Sequence, residues 1–476
     1  MLSLFYLLIV AWLALYGVQA LVLTLLYLRH RAEATEEVVL NWDVWPAVAV
    51  QLPVYNERHV VERLIDAAAA LEYPRDRLEI QVLDDSTDDT TALAEARAAY
   101  YRARGVQVGV CHRTDRSSYK AGALAWGLTQ TSAEFLVVFD ADFRPRPDFL
   151  LRTIPQMVAR PELGILQTRW SHLNEEFSPL TRAQSLALDG HFVVEQTGRS
   201  RSGLLINFNG SGGVWRRTCI EQAGGWQADT MTEDMDLSYR AQLAGWQSLY
   251  MLEVDAPAEL PAQMEAFKRQ QARWAKGSIQ CLRKLGWPIL RSDLTIPQKL
   301  MALVHISSYL THPLMILLLL VMLPMALRLQ PAHLPLLALA FATIGPPLLY
   351  VVAQGALHRD WKKRVLYFPF LAAVCAGITW STSRAVWQGL TTWGGTFART
   401  PKFRLEGRQG GWSRSVYRLL PDRAIAGEIL LMLYALATAA VAWTHGNYGA
   451  VPFLLLYVGG FGMVAGMSLY QGLRRA

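Results

Sequence analysis

Phe135-Leu136-Val137-Val138-Phe139-Asp140-Ala141-Asp142 is the stretch from which the rest of the chain is read. An apolar, β-prone run that turns abruptly polar fits a buried strand and its end. Two carboxylates at alternate positions can project beyond the C-terminal edge of a sheet, where open α/β folds bind ligands. Like charges so placed repel, so a hard cation such as Mg²⁺ or Mn²⁺ suits them, bridging them to a diphosphate. Asp is also favoured in a solvated turn, and a D-x-D triplet alone is a weak signal.

Upstream, Ala47–Leu52, Glu79–Leu83 and Val106–Cys111 read as further strands. Helical patterns at Val60–Ala70 and Thr90–Ala103 lie between them. This alternation predicts a mostly parallel sheet covered on both faces. Pro53-Val54-Tyr55-Asn56-Glu57 and Asp84-Asp85-Ser86-Thr87-Asp88 then follow strands and fall on the same edge. Asp84 or Asp85 can accept from a nucleotide base N–H, or the run can simply cap the next helix. Lys120, ahead of a helix start rich in small residues, can neutralise phosphate.

Thr232-Glu233-Asp234 suits a helix start, with Thr232 as N-cap and acids in the first turn. The functional alternative makes Asp234 a general base. Gln270, Arg273 and Trp274 stand at i, i+3 and i+4, on one helix face. Arg can clamp a diphosphate and Trp can stack on a sugar ring, although the same pair also anchors interfacial helices.

The composition is that of a membrane protein. Of 476 residues, 52% are hydrophobic and 18% charged, against a typical ~25% charged. The net charge is +7 and the mean hydropathy +0.17. Disorder, a coiled-coil rod and an ordinary soluble enzyme are excluded. The four cysteines are widely spaced, with no C-x-x-C, so neither a disulfide framework nor a zinc cluster is expected. Leu2–Leu28 is uncharged and followed by Arg29-His30-Arg31, which reads as a transmembrane helix at residues 1–28 with a cytoplasmic C-terminal end. Residues 45–298 read as globular. Leu300–Leu327 and Leu334–Leu357 form a spanning pair within 299–357, and Ala424–Trp443 and Tyr448–Tyr470 a second within 423–476. Val365–Leu390 is apolar but interrupted by Ser381, Thr382, Ser383 and Arg384, so 365–422 is expected to hold an interfacial or re-entrant segment. In the first C-terminal span His305, Ser308, Tyr309 and His312 fall at i, i+3, i+4 and i+7, one polar stripe. It reads either as a wall of a glycan path or as interhelical hydrogen bonding.

Together these elements resemble a processive family 2 glycosyltransferase of the cellulose synthase-like superfamily. The motifs stand in its order: Pro53–Glu57, Asp84–Asp88, Tyr119–Leu124 (Y-K-A-G-A-L), Asp140–Asp142, Phe208–Gly213 (F-N-G-S-G-G), Thr232–Asp234 and Gln270–Trp274 (Q-x-x-R-W). Leu166–Trp170, Leu188–Phe192 and Pro257–Pro261 look nearest the mannan and glucomannan synthase branch, with its bacterial relatives. The resemblance implies a GT-A-like, Rossmann-like α/β domain in the cytoplasm beneath an α-helical transmembrane bundle, in a bacterial inner or plasma membrane. It implies Asp84 or Asp85 on the base, Lys120 on the nucleotide, and Asp140 and Asp142 on a metal-bound diphosphate. Asp234 becomes the catalytic base. Gln270, Arg273 and Trp274 take the donor diphosphate and the acceptor end. Phe208, Asn209, Gly210, Glu233 and Trp274 line the acceptor site. Phe397-Ala398-Arg399-Thr400-Pro401-Lys402 is similar to the family's F-x-V-T-x-K gating loop, with Arg399 in place of Val; a basic juxtamembrane loop is the plainer reading.

The expected activity is inverting transfer from UDP-glucose or GDP-mannose, using Mg²⁺ or Mn²⁺, to extend and translocate a β-linked mannan, glucomannan or glucan. Transfer of one sugar to a membrane lipid, ceramide or diacylglycerol, is the alternative with similar motifs. A transporter or scaffold with a dead transferase domain would be expected to lack one of Asp140, Asp142 or Asp234, and all three are present. Nucleic acid is not an expected partner, because the basic residues cluster at membrane borders.

Overall fold

The computed structural model describes residues 2–33, 35, 36, 38, 45–328 and 336–473. The expected span start at Leu334 and the terminal Arg474-Arg475 lie outside the described residues. Seven strands form one sheet: β1 (Val48–Val54), β2 (Leu78–Asp84), β3 (Val108–His112), β4 (Phe135–Val138), β5 (Leu163–His172), β6 (Gly213–Arg216) and β7 (Gln247–Ala258). Their order is β3-β2-β1-β4-β6-β5-β7. β1 to β4 are all parallel, β5 and β7 are parallel, and β6 alone runs antiparallel to both its neighbours. The four expected strands are therefore present, each within a few residues of its expected bounds.

The chain leaves β1 on one side for β2 and β3 and returns on the other for β4. Between β1 and β4 the strand order reverses, and the C-terminal edge there is where a doubly wound sheet opens a crevice. β1 ends at Val54, β2 at Asp84, and β4 runs into Asp140. Val50, Leu52, Val82, Val137 and Phe139 are fully buried with Leu64 and Ile65 of the helix Val61–Ala69 in one core. Full burial of each such side chain contributes about 1.5–3 kcal/mol. Ala49, Leu136, Val138 and Phe208 face a second core with Leu124 and Leu237. Both faces of the sheet are thus covered.

Among the described residues four helices are long and apolar enough to cross a membrane: Leu2–His30, Ser308–Leu327, Ile425–Thr444 and Tyr448–Leu473. Leu336–Leu357 packs against the first of them. The first C-terminal span departs from the uninterrupted helix expected over Leu300–Leu327. A helix Ile296–Ile306 is followed by a 3-10 turn Ser308–Leu310 and a new helix Thr311–Arg328. Pro313 supplies the reason: it lacks an N–H and its ring excludes the carbonyl of residue 309 from a continuing helix. Trp361–Gly377 and Thr379–Thr391 are bent by 49°. There the chain crosses Tyr448–Leu473 so closely that a Cβ on Gly377 would lie 2.2 Å from the Gly460 carbonyl. Glu428, fully buried in the helix Ile425–Thr444, is neutralised by Lys268 at 2.7 Å, from the long helix Met264–Arg291. An ion pair fits a charge placed at that depth. All four cysteines are free.

Candidate active site

A cleft opens where β1, β2 and β4 end. Tyr55, Glu57, Asp85, Lys120, Asp140, Asp142, Asn209, Gly210, Glu233 and Asp234 line it, with Gln270, Arg273 and Trp274. Phe397, Arg399, Thr400 and Lys402 lie over it from the segment that follows the bent helix pair. The carboxylates are cross-braced by cations. Lys120 Nζ sits 2.6 Å from Asp140 Oδ1 and donates to the Gly210 carbonyl at 2.8 Å. Lys402 Nζ donates to Asp142 Oδ2 at 2.7 Å. Asp85 accepts two bonds from Arg113, at 2.7 and 2.6 Å. Arg399 stands 3.0 Å from Glu57.

Asp234 differs from these. Its carboxylate accepts the Met235 N–H at 2.8 Å, and no cation lies within ion-pair distance of it among the described residues. Burial pushes its pKa up to about 7, the Glu233 charge adds to the rise, and Lys120 opposes it. A carboxyl that titrates near neutrality is suited to proton transfer. Thr232 occupies the N-cap position of the helix Glu233–Leu243, yet its side chain makes no capping bond. Gly210 is required where it stands. Its φ is +79°, and an added Cβ would come 2.8 Å from Asp234 Oδ2.

Residues 46–277 match the sequence family described as Glycosyltransferase like family 2. This segment is a family 2 glycosyltransferase domain. The chain is 44% identical over 250 residues to the probable glucomannan 4-beta-mannosyltransferase 3 of Oryza sativa subsp. japonica, covering 52% of this chain and 45% of that protein. It is 43% identical over 252 residues to the glucomannan 4-beta-mannosyltransferase 2 of Arabidopsis thaliana, covering 52% and 47%. The chain spans about half the length of these curated relatives. Among solved structures, the mannosyltransferase of Pyrobaculum calidifontis in complex with GDP-Man and Mn²⁺ shares the fold, with a TM-score of 0.54 at 21% identity, covering 82% of this chain and 99% of that one.

Below the cleft of the glycosyltransferase domain lies a second chamber of about 410 Å³. Trp170, Asn209, Thr232, Asp234, Gln270 and Trp274 line both spaces, so the two adjoin at these residues. All four residues of the expected polar stripe, His305, Ser308, Tyr309 and His312, face this chamber, although the helix carrying them is broken. Tyr350, Val374 and Ile378 complete its apolar walls. Tyr309 and His312 stack with ring centroids 5.9 Å apart.

Two expected site residues do not reach either space. Asp84 is fully buried; its carboxylate accepts from Ser86 N, Thr91 Oγ1 and pairs with His112 Nδ1 at 2.8 Å. It holds the end of β2, and Asp85 alone of the pair lines the cleft. Phe208 packs on Trp215 in the core, at 5.2 Å between ring centroids. Only Asn209 and Gly210 of its motif face the site, because an aromatic ring gains more under the sheet than beside water.

Several site residues went unread in the sequence. Glu57 is one in its role alone, since its place on this edge was legible; burial pushes its pKa up to about 8 against the pull of Arg399 and Lys402. Arg113 and Arg116 are others; Arg116 lies over the Tyr55 ring at 3.3 Å. Glu259 accepts the backbone N–H groups of Phe403 and Leu405, at 2.7 and 3.1 Å, and so anchors the overlying segment. Glu259 lies within Pro257–Pro261, which reads in the sequence only as a branch likeness. Gln167, in the feature Leu166–Trp170, donates to the Ser211 and Gly212 carbonyls and accepts from Asn209 N–H, fixing the turn beside Asp234.

Proposed function

We propose that the chain is a membrane-embedded, inverting hexosyltransferase that extends a β-linked polysaccharide such as mannan, glucomannan or glucan from GDP-mannose or UDP-glucose. The observation that carries this reading is the shared lining, where we place a passage: Asp234, Asn209, Gln270 and Trp274 belong at once to a charged cleft and to a chamber lined by apolar helices. Donor chemistry on one side and a glycan path on the other would meet at Asp234.

In this reading Asp85 and Arg113 face the base, and Lys120 and Arg273 the diphosphate. Asp140 and Asp142 form an all-oxygen pair fit for a hard divalent cation. No third His, Cys, Asp or Glu joins them as a metal cluster among the described residues, so the diphosphate supplies further oxygens. Mg²⁺ or Mn²⁺ bound there would stabilise charge on the departing diphosphate. Asp234 accepts the proton of the acceptor hydroxyl as its oxygen attacks the anomeric carbon from the face opposite the diphosphate. One displacement turns an α-linked donor into a β-linked product. Phe397, Thr400 and Lys402 close over the donor. The glycosyltransferase domain faces the cytoplasm of a bacterial cell, where nucleotide sugars are made, and the product leaves through the helices.

Product analysis tests this. The purified full chain is incubated with GDP-mannose or UDP-glucose, with Mg²⁺ or Mn²⁺, and β-linked oligosaccharide acceptors. Extended chains of β-linked hexose are the expected product. A single sugar on an extractable lipid would replace the polymer reading.

A further inference from the structure

The floor of the lower chamber carries a polar cluster that the proton-transfer chemistry does not use. The helix that begins at Pro179 widens into a π-helix over Gly190–Gln196, then resumes as Thr197–Arg201. A π-segment inside an α-helix costs backbone geometry and is frequent at functional sites. Here it turns His191 and Glu195 into the chamber. His191 bonds Glu195 Oε2 through Nδ1 at 2.9 Å, and Asn209 Oδ1 through Nε2 at 3.1 Å. Asn207 Nδ2 donates to the same Asn209 oxygen at 2.9 Å. Asn209 and Asn207 also line the chamber, and Asn209 reaches the passage beside Asp234.

The cluster is built and incompletely satisfied. Asn207 Oδ1 is buried and has no hydrogen-bond partner. Glu195 uses one oxygen on His191. Its pKa is lowered: burial would raise it, but the hydrogen bond and charge of His191 and the buried Arg199 behind it outweigh burial. Glu195 thus stays a charged acceptor. Glu195 lines the chamber with its second carboxylate oxygen not committed to His191, and a charged acceptor facing a chamber points to an occupant rich in donors. A sugar ring presents several hydroxyls, each able to donate.

We infer that His191 and Glu195, together with Asn207 and Asn209, form a binding subsite for the terminal hexose of a β-linked acceptor, with Glu195 accepting a hydroxyl proton. This rests on the hexosyltransferase reading and adds to it the groups that hold the ring whose hydroxyl faces Asp234. The π-segment carries His191 and Glu195 on the chamber wall they share with Asn209.

The test uses the full-length chain, with β-1,4-mannotriose and cellotriose as acceptors and GDP-mannose or UDP-glucose as donor. Glu195→Gln keeps shape and removes charge. Its KM for the better acceptor should rise roughly ten- to a hundredfold, as for a lost hydrogen bond to a charged group. Donor affinity, measured by titration, should remain within about twofold of the parent, since Glu195 does not line the upper cleft. His191→Gln, which retains an amide toward Asn209, should raise the same KM by less. An unchanged acceptor KM in both variants overturns the subsite, as does a fall in donor affinity that parallels the rise in KM. If the parent transfers hexose to neither acceptor with either donor, the hexosyltransferase reading falls first, and the subsite with it. A working parent with indifferent variants removes the subsite alone.

Discussion

The upper cleft and the lower chamber meet at one carboxylate yet follow opposite rules. Above, charges are matched: Asp140 with Lys120, Asp142 with Lys402, Asp85 with Arg113, Glu57 with Arg399. Below, the walls are apolar and neutral-polar, apart from the His191–Glu195 pair and the shared Asp234. A site for a polyanion needs cations near carboxylates that can exchange partners when the ligand arrives. A path for an uncharged chain needs faces and hydroxyls, and charge there would hold it back. Asp234 sits where the two regimes touch, and with no ion-pair partner among the described residues it is left free to take a proton.

Replacing that residue should have the largest effect. Asp234→Asn keeps the shape but cannot accept the proton, and should cut transfer by at least ~10²-fold. Nucleotide binding, measured by titration, should persist. Near-normal turnover in a folded variant would show that the junction carboxylate is not the base, and the contrast between the two spaces would lose its chemical meaning.

Next in size is the upper cleft's cation dependence. Asp142→Ala should weaken metal-dependent donor binding on the order of ten- to a hundredfold, and chelation should produce the same defect in the parent. Because Lys402 pairs with Asp142 and competes with a cation for its carboxylate, Lys402→Ala should not mimic that loss of metal affinity. Donor binding that survives both Asp142→Ala and EDTA would remove the cation from the cleft.

The pH profile is a gentler probe of the same contrast. Asp234, raised to about 7 by burial and by Glu233, works as a base only when deprotonated. Activity is therefore full above that value and is lost as pH falls through it, by about tenfold per unit in kcat/KM, which reports the free enzyme. Glu233→Gln removes the neighbouring negative charge and should shift the limb to lower pH. A limb near the ordinary carboxylate range in the parent would contradict the burial argument.

The two spaces were not equally legible in the sequence. The upper cleft was, because strand ends carry their chemistry within a few residues of an apolar run. Asp85, Asp140 and Asp142 follow β2 and β4 directly, and β1 leads into Tyr55 and Glu57. β5, β6 and β7 were not read as strands. β6 is only Gly213–Arg216, too short to show a period, and β7 mixes Glu253, Asp255 and Pro257 into its run. Asp84 could not be told from Asp85 by pattern, since only the fold decides which of two adjacent side chains points into the sheet. Phe208 was misplaced because its motif neighbours do face the site. The floor of the lower chamber was hidden for a different reason. His191 and Glu195 look like an ordinary i, i+4 pair, and no residue type announces a π-segment.

The smallest effect on chemistry is expected in the lower chamber, where the consequence should appear in the product. Tyr309 and His312 stack on each other and line the wall beyond the passage, and Tyr309 donates to Gln271 Oε1 at 3.3 Å. Gln271 adjoins Gln270 of the passage, so the wall and the passage are mechanically linked through one helix. A chain entering this wall would stack ring faces on Tyr309 and share hydroxyls with His312. Tyr309→Leu with His312→Leu keeps the chamber apolar and roughly filled but removes both properties. Release of nucleotide with a trisaccharide acceptor should stay within about threefold of the parent, because neither residue lines the cleft. In sealed inverted vesicles the product should be markedly shorter, and more of it should be open to glycanase added outside, the side facing the catalytic domain. Long, protected product from the double variant would show that the polar wall serves only to pair helices. The two spaces would then be a site and a cavity, with no path between them.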